Sequence, residues 1–411
     1  MMNILKRIKS HPKFGLILLA YIAFIALGMP DGLMGVAWPS IRYGFGIPLD
    51  ALGSLLAVSV AGYIISSFFS GRLISRLGVG RVLAISCAMT GVALLGYTLV
   101  PQWWMMVSLA IFSGLGAGAI DSGLNAYVAS HFGEGLMQWL HASYGVGITT
   151  GPLIMTVALN SFNSWRIGYR IVASFQLVLA LVFTITLPMW KEKAHSEGVN
   201  KPKILTDYKT SLRETLRQSQ VWFSLLQFFL YVGTEVSIGT WTYTLLTESR
   251  GINPEVAGLW TGSYWAMFTI GRAVAGLFAK KVGVNKLVLG SLGLALSMAG
   301  LLWWNPAPWT NLLAVAVIGF AIAPIFPALV SVTSQRVSPR FAANTIGMQM
   351  SASGLATVVI PSLLGVLARY INLEVIPIYL LALFVAQTVL YLIGLQRRKN
   401  GSLLESTDSQ L

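Results

Sequence analysis

Apolar residues fill long stretches of this chain, and charged residues or Gly and Pro interrupt them at regular intervals. A membrane-crossing helix needs about 20 mostly apolar residues to traverse a hydrocarbon core of about 30 Å. The pattern therefore predicts twelve membrane spans, six in each half of the chain. Their ranges are 14–41, 51–71, 82–100, 104–130, 136–160, 167–190, 221–247, 256–279, 285–304, 309–334, 341–369 and 374–395. The predicted fold is an all-α integral membrane protein with two pseudo-symmetric six-helix halves.

This division predicts three parts of the chain. Residues 1–190 form an N-terminal six-helix half, the polar segment 191–220 is a cytoplasmic linker, and 221–411 form a C-terminal six-helix half with a short cytoplasmic tail. The first apolar run lacks an A-x-A cleavage pattern, which predicts a retained helix rather than a signal peptide. Of the 411 residues 55% are apolar and 10% charged, against roughly 25% charged in soluble domains, so a soluble fold is excluded.

The net charge of +14 is distributed unevenly along the chain. If the N-terminus is cytoplasmic, 22 of the 28 Lys and Arg residues fall on inner segments. Cytoplasmic loops carry an excess of cations, so both termini are predicted to be cytoplasmic. The cations flank apolar runs instead of forming a basic domain, which argues against nucleic-acid binding. The single cysteine, Cys87, excludes a disulfide within the chain.

Two segments repeat one another at equivalent places in the two halves. Residues 71–81 read GRLISRLGVGR after the second span, and 276–286 read GLFAKKVGVNK after the eighth. A duplication of this kind predicts two structural repeats. In the first copy we expect glycines to permit a tight turn and cations to cap helix ends at the inner surface. The gating or structural residues predicted there are Gly71, Arg72, Arg76, Gly78 and Arg81.

With this segment the chain resembles the major facilitator superfamily, whose hallmark in the loop after the second helix is G-x-x-x-D-R-x-G-R-[RK]. The resemblance covers the whole chain and implies a transporter of twelve helices. Ser75 stands where the family usually has Asp. The resemblance therefore implies that the charge relay latching the outward-open state is weakened or rebuilt.

Eleven of the fourteen acidic residues lie in loops, span ends or tails, and three lie inside predicted spans, namely Asp31, Asp121 and Glu235. An ionised carboxylate near the bilayer centre costs about 2.5–3.5 kcal/mol even on lenient scales, so each should face a cavity or be protonated. Either state suits proton coupling by Asp31 and Asp121. The alternative is an acid that packs between helices and is held by hydrogen bonds.

The sequence around each of the first two acids predicts a site. Asp31 lies in Gly28-Met29-Pro30-Asp31-Gly32, where Pro and Gly weaken the helix and free backbone carbonyls. Asp121 follows the glycine-rich run 114–120 and precedes Asn125 by four residues, so acid and amide share a helical face. We expect Asp31, Asp121 and Asn125 to bind the solute.

The fourth-span pattern resembles the fucose permease branch of the superfamily. In the C-terminal half, Tyr231-Val232-Gly233 followed by Trp241, Gly258, Gly262 and Ile270-Gly271-Arg272 also resembles that branch. The resemblance implies that Asp31 and Asp121 handle protons and substrate. The chain departs from the branch in three respects: it has Asp for Glu in the fourth span, no Asn just before Asp31, and an extra acid at Glu235.

Three further polar residues of interest fall within the predicted spans. His141 and Tyr144, near the start of the fifth span, predict a gate or a hydrogen-bonding role, with a satisfied buried histidine as the alternative. Arg272, beside Gly271, is costly in lipid and is expected to have a structural role, paired with a helix C-terminus or an acid.

A sugar site needs a flat apolar surface for the ring and hydrogen-bonding partners for its hydroxyls. The remaining candidate binding residues are Gln227, Tyr231, Glu235, Trp241, Tyr264, Trp265, Asn344 and Gln349. Trp and Tyr near span ends also form interfacial belts, which is the alternative for the aromatic members.

No phosphate-binding loop, Cys/His metal cluster or nucleophile elbow occurs in the sequence, so no enzyme, cofactor or metal is expected, and a gradient is the expected energy source. We predict a secondary active transporter, a proton-coupled symporter of a monosaccharide or similar solute. Sodium is the alternative coupling ion. The rivals are a proton-coupled drug or metabolite exporter, a lipid flippase, and a membrane receptor or enzyme. The expected setting is a monomer among the lipids of a bacterial inner membrane.

Overall fold

A computed structural model of the chain describes residues 14–48, 51–190 and 205–408, with side chains as far as 396. These residues form twelve long helices and no strand. The helices are α1 Phe14–Phe45, α2 Leu52–Leu77, α3 Val79–Tyr97, α4 Trp103–His131, α5 Glu134–Phe162, α6 Trp165–Ile185, α7 Ser219–Thr244, α8 Pro254–Val282, α9 Val284–Trp304, α10 Pro308–Ile322 with its continuation Ile325–Ser331, α11 Pro339–Tyr370 and α12 Val375–Asp408.

The twelve predicted spans each coincide with one of these helices, and the predicted all-α membrane fold is confirmed. Among the described residues, eleven helices are long and apolar enough to cross a membrane. The twelfth, α8, has 29 residues but is more polar, because Glu255, Arg272, Lys280 and Lys281 lie along it.

The prediction of a loop at 71–81 is wrong. Helix α2 continues to Leu77, Gly78 alone makes the turn at φ +80°, and α3 begins at Val79. Glycine adopts this backbone conformation without the steric cost that a β-carbon imposes, so one residue is enough to end the helix. Gly283, with φ +78°, makes the same turn between α8 and α9, at the place that the sequence repeat predicts.

The described residues separate into two compact units by their contacts. The first comprises the described part of Met1–Leu212 together with Pro339–Ser351, and the second comprises Arg213–Ser338 and the described part of Ala352–Leu411. The first turns of α11 thus belong to the unit of α1–α6, although the predicted division of the chain places them in the C-terminal half.

The predicted linker and the chain ends are only partly described. Residues 191–204 of the linker and the cations at 6–13 lie outside the described residues, as do the side chains at 397–399. The rest of the linker contains a 3₁₀ turn at Leu205–Asp207 and a short helix at Leu212–Leu216.

In the first unit, glycines bring helices together in two pairs. Gly28 and Gly32 of α1 pack against backbone carbonyls of α5, while Gly147 and Gly151 of α5 pack against backbone carbonyls of α1. A β-carbon at any of the four would overlap a carbonyl oxygen. Such close approach is a common mode of helix association in membranes.

Helices α2 and α4 form the second pair. Gly62 of α2 lies against the Ile111 carbonyl, and Gly114 and Gly118 of α4 lie against the carbonyls of Ser59 and Tyr63. The glycine-rich run of the fourth span is therefore a packing surface, and it determines which α2 side chain lies beside Asp121.

In the second unit, a buried arginine joins the ends of several helices. Arg250, between α7 and α8, donates from Nη2 to Glu374 Oε2 at 2.7 Å and from Nε to Glu374 Oε1 at 3.1 Å. It also donates to the Leu302 carbonyl at 2.9 Å and to the Asn311 side chain. The guanidinium thereby connects the α7–α8, α9–α10 and α11–α12 turns.

Candidate functional site

The close pairing of α1 and α5 brings an acid and a tyrosine together. Tyr144 Oη donates a hydrogen bond to Asp31 Oδ2 at 2.6 Å. Gly28 and Gly32 flank Asp31 on α1 and lie against the carbonyls of Tyr144 and Ile148, so the contact depends on the absence of side chains there. Asp31 remains solvent-accessible although its neighbours on α1 are mostly buried.

The α2–α4 pair repeats this arrangement. Tyr63 of α2 donates a hydrogen bond to Asp121 Oδ2. Tyr63 was not among the predicted site residues, although it is the only tyrosine of α2 and directly follows Gly62. Asp31 and Asp121 therefore each have a tyrosine partner on a glycine-packed neighbouring helix.

Asn125 extends the Asp121 contact to α5. Its Nδ2 donates to Asp121 Oδ1 at 2.7 Å, as the four-residue spacing on α4 predicts. Its Oδ1 lies 3.0 Å from Nε2 of His141. Because the amide nitrogen is committed to the carboxylate, its oxygen must accept, and this assigns the proton of His141 to Nε2. His141 is buried and meets the Phe24 ring edge-on, with ring centroids 5.4 Å apart.

These contacts form one polar group within the first unit. Tyr63 is close enough to Asp31 and Tyr144 to interact electrostatically with both. We name Asp31, Tyr63, Asp121, Asn125, His141 and Tyr144 the two-aspartate cluster. Its two carboxylates can accept protons, and an ionised carboxylate can accept hydrogen bonds from solute hydroxyls.

The third membrane-embedded acid lies in the second unit. The Glu235 carboxylate interacts with the Tyr231 hydroxyl and electrostatically with Arg272. Tyr264 Oη donates to the backbone carbonyl of Glu235 at 2.9 Å. The structure thus brings together four residues of α7 and α8 that were predicted from the sequence: Tyr231, Glu235, Tyr264 and Arg272.

Tyr231 and Arg272 also bind the break in α10. Tyr231 Oη donates to the Ile322 carbonyl at 3.0 Å, and Arg272 Nε donates to the Ala323 carbonyl at 3.4 Å. Pro327 has no N–H to offer the Ala323 carbonyl four residues earlier, so the arginine supplies a donor that the helix lacks. Gly271 lies against the Phe320 carbonyl and lets α8 approach this break.

Other predicted solute-binding residues of the second unit lie on α7 and α8. Gln227 is buried, and its Nε2 has no hydrogen-bond partner among the described residues. Trp241 Nε1 donates to the Pro361 carbonyl at 3.0 Å, which binds α7 to α11. Trp265 is 43% exposed and packs on Tyr264 with ring centroids 4.9 Å apart.

Asn344 and Gln349 lie on the part of α11 that belongs to the first unit. Asn344 packs against Gly71 and donates to the Thr210 carbonyl at 3.1 Å, and Gln349 is fully buried. The next residue, Met350, has its sulfur 3.8 Å from Asn125 Nδ2. Asn344 therefore lies at the end of α2, whereas Met350 reaches the two-aspartate cluster.

The repeated α2–α3 segment has exposed cations. Arg72, Arg76 and Arg81 are exposed, and Ser75 Oγ donates to the Arg72 carbonyl of its own helix at 3.0 Å. The serine that replaces the family's Asp thus makes a local helix contact. Across the described part of the chain, no three His, Cys, Asp or Glu side chains are grouped as metal ligands.

Comparison with known proteins agrees with the twelve-helix fold and its repeated segment. Residues 20–361 match the sequence profile of the Major Facilitator Superfamily. The chain belongs to this superfamily. It is accordingly a multi-pass membrane transporter and not an enzyme, as predicted.

Several curated proteins are distantly related to this superfamily member, and the sequence similarity extends over most of its length. It is 24% identical to the Saccharomyces cerevisiae protein named Bypass of stop codon protein 6, over 90% of this chain and 81% of that protein. It is 22% identical to the glucose/mannose transporter GlcP of Bacillus subtilis, over 78% and 80% of the two chains. It is 23% identical to human sodium-dependent glucose transporter 1, over 90% and 77%.

Solved structures of the superfamily share the fold. A variant of the E. coli fucose:proton symporter FucP superimposes with a TM-score of 0.76 at 12% identity, covering 93% of this chain and 99% of that one. The human organic anion transporter MFSD10 superimposes with a TM-score of 0.72 at 16% identity, covering 93% and 100%. Since the two carry different solutes, the shared fold does not by itself identify a substrate.

Proposed function

We propose that this superfamily member is a proton-coupled symporter of a monosaccharide or a similar small polar solute. The observation that carries the proposal is the pairing of Asp31 with Tyr144 and of Asp121 with Tyr63 within one unit. Ionisable residues inside membrane spans are expensive and mark ion and proton pathways. Two such acids, each aligned by a tyrosine, provide separate places for a proton and for a solute hydroxyl.

The proposed cycle follows from the charge of the carboxylates. A protonated acid is neutral and crosses the membrane interior at low cost, whereas an ionised acid does not. Asp31 or Asp121 takes up a proton with the solute from outside, access alternates to the other side, and release of both returns the carboxylate to its ionised form. The second acid orients solute hydroxyls. No cofactor takes part, and the gradient supplies the energy.

Two observations support a sugar as the solute. Two of the curated relatives are named as glucose transporters. In the second unit, Trp265 is partly exposed and Gln227 has an unused amide donor. An aromatic face and an amide are the groups that a sugar ring and its hydroxyls require.

The proposed orientation places both termini in the cytoplasm. Arg72, Arg76 and Arg81 lie around the α2–α3 turn, and Lys280, Lys281 and Lys286 lie around the α8–α9 turn. Cations concentrate on the cytoplasmic side of membrane proteins. The Arg250–Glu374 pair then lies at the outer surface, and the compact loops fit a monomer in a bacterial inner membrane.

A second candidate has sodium in place of the proton. The curated relatives include human sodium-dependent glucose transporter 1. Sodium would use carboxylate and carbonyl oxygens, and Asp31 and Asp121 offer the former. A dependence of uptake on sodium at constant pH distinguishes this candidate from proton coupling.

The proposal is tested by reconstituting the full chain in proteoliposomes and measuring uptake of a panel of labelled monosaccharides under an imposed pH gradient. The variants are Asp31→Asn and Asp121→Asn. Glu255→Gln, an exposed acid at the start of α8, is the matched control. We expect one sugar to accumulate only with the gradient, and at least one Asp variant to retain exchange of the sugar while losing accumulation.

The other outcomes separate the rivals. Accumulation that follows a sodium gradient at constant pH supports the sodium candidate. Movement of lipophilic cations or lysolipids without movement of any sugar supports an exporter or a lipid flippase and overturns the symporter. Loss of accumulation in Glu255→Gln to the same extent as in the Asp variants would remove the special role of the two-aspartate cluster.

A further inference from the structure

Helix α1 contains a proline directly before its acid. Pro30 lies inside the helix, which continues from Phe14 to Phe45. A proline has no N–H, so the carbonyl four residues earlier, that of Ala26, receives no hydrogen bond from the helix. Ala26 is fully buried, which keeps water from the carbonyl. In a membrane interior such a carbonyl requires a partner from another helix.

Gln176 of α6 supplies that partner. Its Nε2 donates to the Ala26 carbonyl oxygen at 2.9 Å, and the residue is fully buried. Because a carbonyl can only accept, the bond fixes the orientation of the amide. The other end of the amide, Oε1, has no hydrogen-bond partner among the described residues. A leucine would fill this space without burying an unpaired Oε1, but it would leave the Ala26 carbonyl unsatisfied, so the hydrogen-bonding role of the amide lies on its Nε2 side.

The position of Pro30 connects Gln176 to the acid. Asp31 follows Pro30, so the direction in which its side chain leaves the helix depends on the α1 backbone around Pro30. Tyr144 holds the carboxylate from α5, and Gln176 holds the Ala26 carbonyl from α6. This segment of α1 is therefore held from two neighbouring helices.

From this arrangement we propose that Gln176 is a positioning residue for Asp31. It compensates the carbonyl that Pro30 frees and thereby keeps the Asp31 carboxylate within hydrogen-bonding distance of Tyr144. Gln176 acts through the α1 backbone and does not touch the solute. This role in transport rests on the proposed function of Asp31, whereas the hydrogen bond from Gln176 to the Ala26 carbonyl does not.

The second unit provides a matched control. Gln387 of α12 is also fully buried and also has an unpartnered Oε1, but its Nε2 donates to the Thr234 hydroxyl of α7 at 2.8 Å. Thr234 directly precedes Glu235, so the two glutamines have similar places in their units. No proline lies near this point of α7. Replacing Gln387 removes a buried amide without uncovering a proline-freed carbonyl.

The test is a double-mutant cycle between Gln176→Met and Pro30→Ala in the full chain, with Gln387→Met as the control. Alanine at position 30 restores an N–H for the Ala26 carbonyl, so it should make Gln176 dispensable. Thermal unfolding is followed by the reaction of a fluorogenic maleimide with Cys87, which is the only cysteine and is buried. We expect Gln176→Met to lower the thermal unfolding midpoint of the parent. In the Pro30→Ala background the same substitution should lower the midpoint by less than half as much.

A second measurement separates positioning from general stability. Infrared difference spectra recorded over a pH range follow the Asp31 carboxyl band, identified as the band missing in Asp31→Asn. We expect Gln176→Met to move the titration midpoint of this band by about half a pH unit or more. Pro30→Ala combined with Gln176→Met should return it toward that of Pro30→Ala alone, and Gln387→Met should leave it at the parent value.

The proposal is overturned if Gln176→Met lowers the unfolding midpoint equally in the parent and in Pro30→Ala. It is also overturned if Gln176→Met leaves the titration of Asp31 unchanged. If the Gln176→Met protein is not found in the membrane, its presence there when Pro30→Ala is added supports the proposal. Absence of both the single and the double variant from the membrane contradicts it. Undiminished accumulation of solute by Asp31→Asn overturns the proposed function of Asp31, and the unfolding cycle still decides whether Gln176 compensates the proline.

Discussion

The Tyr144 hydroxyl donates to Asp31 Oδ2 at 2.6 Å although the two residues are 113 positions apart in the chain. Hydrogen bonds to charged groups contribute about 1.5–3 kcal/mol. If Asp31 couples transport to a proton, its tyrosine partner should be needed for coupling, because it holds the carboxylate in one geometry.

Tyr144→Phe removes this hydrogen bond and keeps the ring. We expect gradient-driven accumulation of the solute to fall by about 10-fold or more, which corresponds to the strength of one charge-assisted bond. The measurement is the ratio of inner to outer solute in proteoliposomes. Tyr43→Phe, at a site on α1 that is 91% exposed, is the control. Parent-like accumulation by Tyr144→Phe would show that the bond is structural only.

Gly32→Ala should separate α1 from α5. The added β-carbon overlaps the carbonyl of Ile148 and the ring of Pro152, and overpacking of this kind costs about 1–3 kcal/mol. The unfolding midpoint, followed through Cys87, should fall. Gly35→Ala, three residues further along α1, meets nothing within 4 Å and should leave the midpoint unchanged or raise it. Similar midpoints for the two variants would contradict the glycine packing.

Glu374→Gln tests the Arg250 pair. Arg250 has a side chain that is only 4% exposed, and glutamine can accept only one of the two hydrogen bonds that the carboxylate accepts, so a buried donor loses its acceptor at a cost of about 1–3 kcal/mol at neutral pH. Glu248→Gln, an exposed acid two residues before Arg250, is the control and should be neutral. Equal unfolding midpoints for Glu374→Gln and the parent would show that the pair contributes no net stability.

The same pair predicts a pH dependence. Hydrogen bonds from Arg250 lower the pKa of Glu374 from its ordinary value of 4.5. Because the unfolded chain then binds this proton more readily than the folded one, the pair stabilises the fold above pH 4.5 and this stabilisation is lost as the pH falls through the lower, folded pKa. The midpoint of the parent should therefore decline below pH 4.5 more steeply than that of Glu374→Gln. Parallel profiles would contradict this assignment.

Ser338→Gly should stabilise the protein. Ser338 makes the turn before α11 with φ +74° and ψ +143°, a conformation nearly restricted to glycine and costing about 1–3 kcal/mol for other residues. Gly78 and Gly283 make turns of the same geometry. Ser338 is exposed, so little packing is lost. We expect a higher unfolding midpoint for Ser338→Gly, with Ser164→Gly, at an extended residue, as the destabilised or neutral control.

Much of the fold could be predicted because each membrane span carries its own signal. Length and hydropathy identified twelve helices, and the repeat of 71–81 at 276–286 indicated two similar halves. The form of that repeat was not predictable in the same way. Seven of its residues, from Gly71 to Leu77, continue α2, because only Gly78 has the backbone conformation that ends the helix.

The acids and the Asp121–Asn125 contact within α4 were predictable, whereas the partners of the acids on other helices were not. Asp31 and Asp121 stand out because a carboxylate in an apolar run is costly. Tyr63 and Gln176 carry no such mark, since a tyrosine or glutamine within a span is not unusual. Their roles depend on which helix face meets which, as does the packing of Asn344, a predicted solute-binding residue, against Gly71.

The sequence by itself determined the membrane fold, the number of spans, the superfamily and the two acids of the first unit, because hydropathy and the cost of buried charge act on each segment separately. Only the tertiary structure decided that glycine-packed pairs α1–α5 and α2–α4 give each acid a tyrosine, and that an amide of α6 compensates the proline of α1. Those contacts join residues more than 50 positions apart, and helix packing alone selects them.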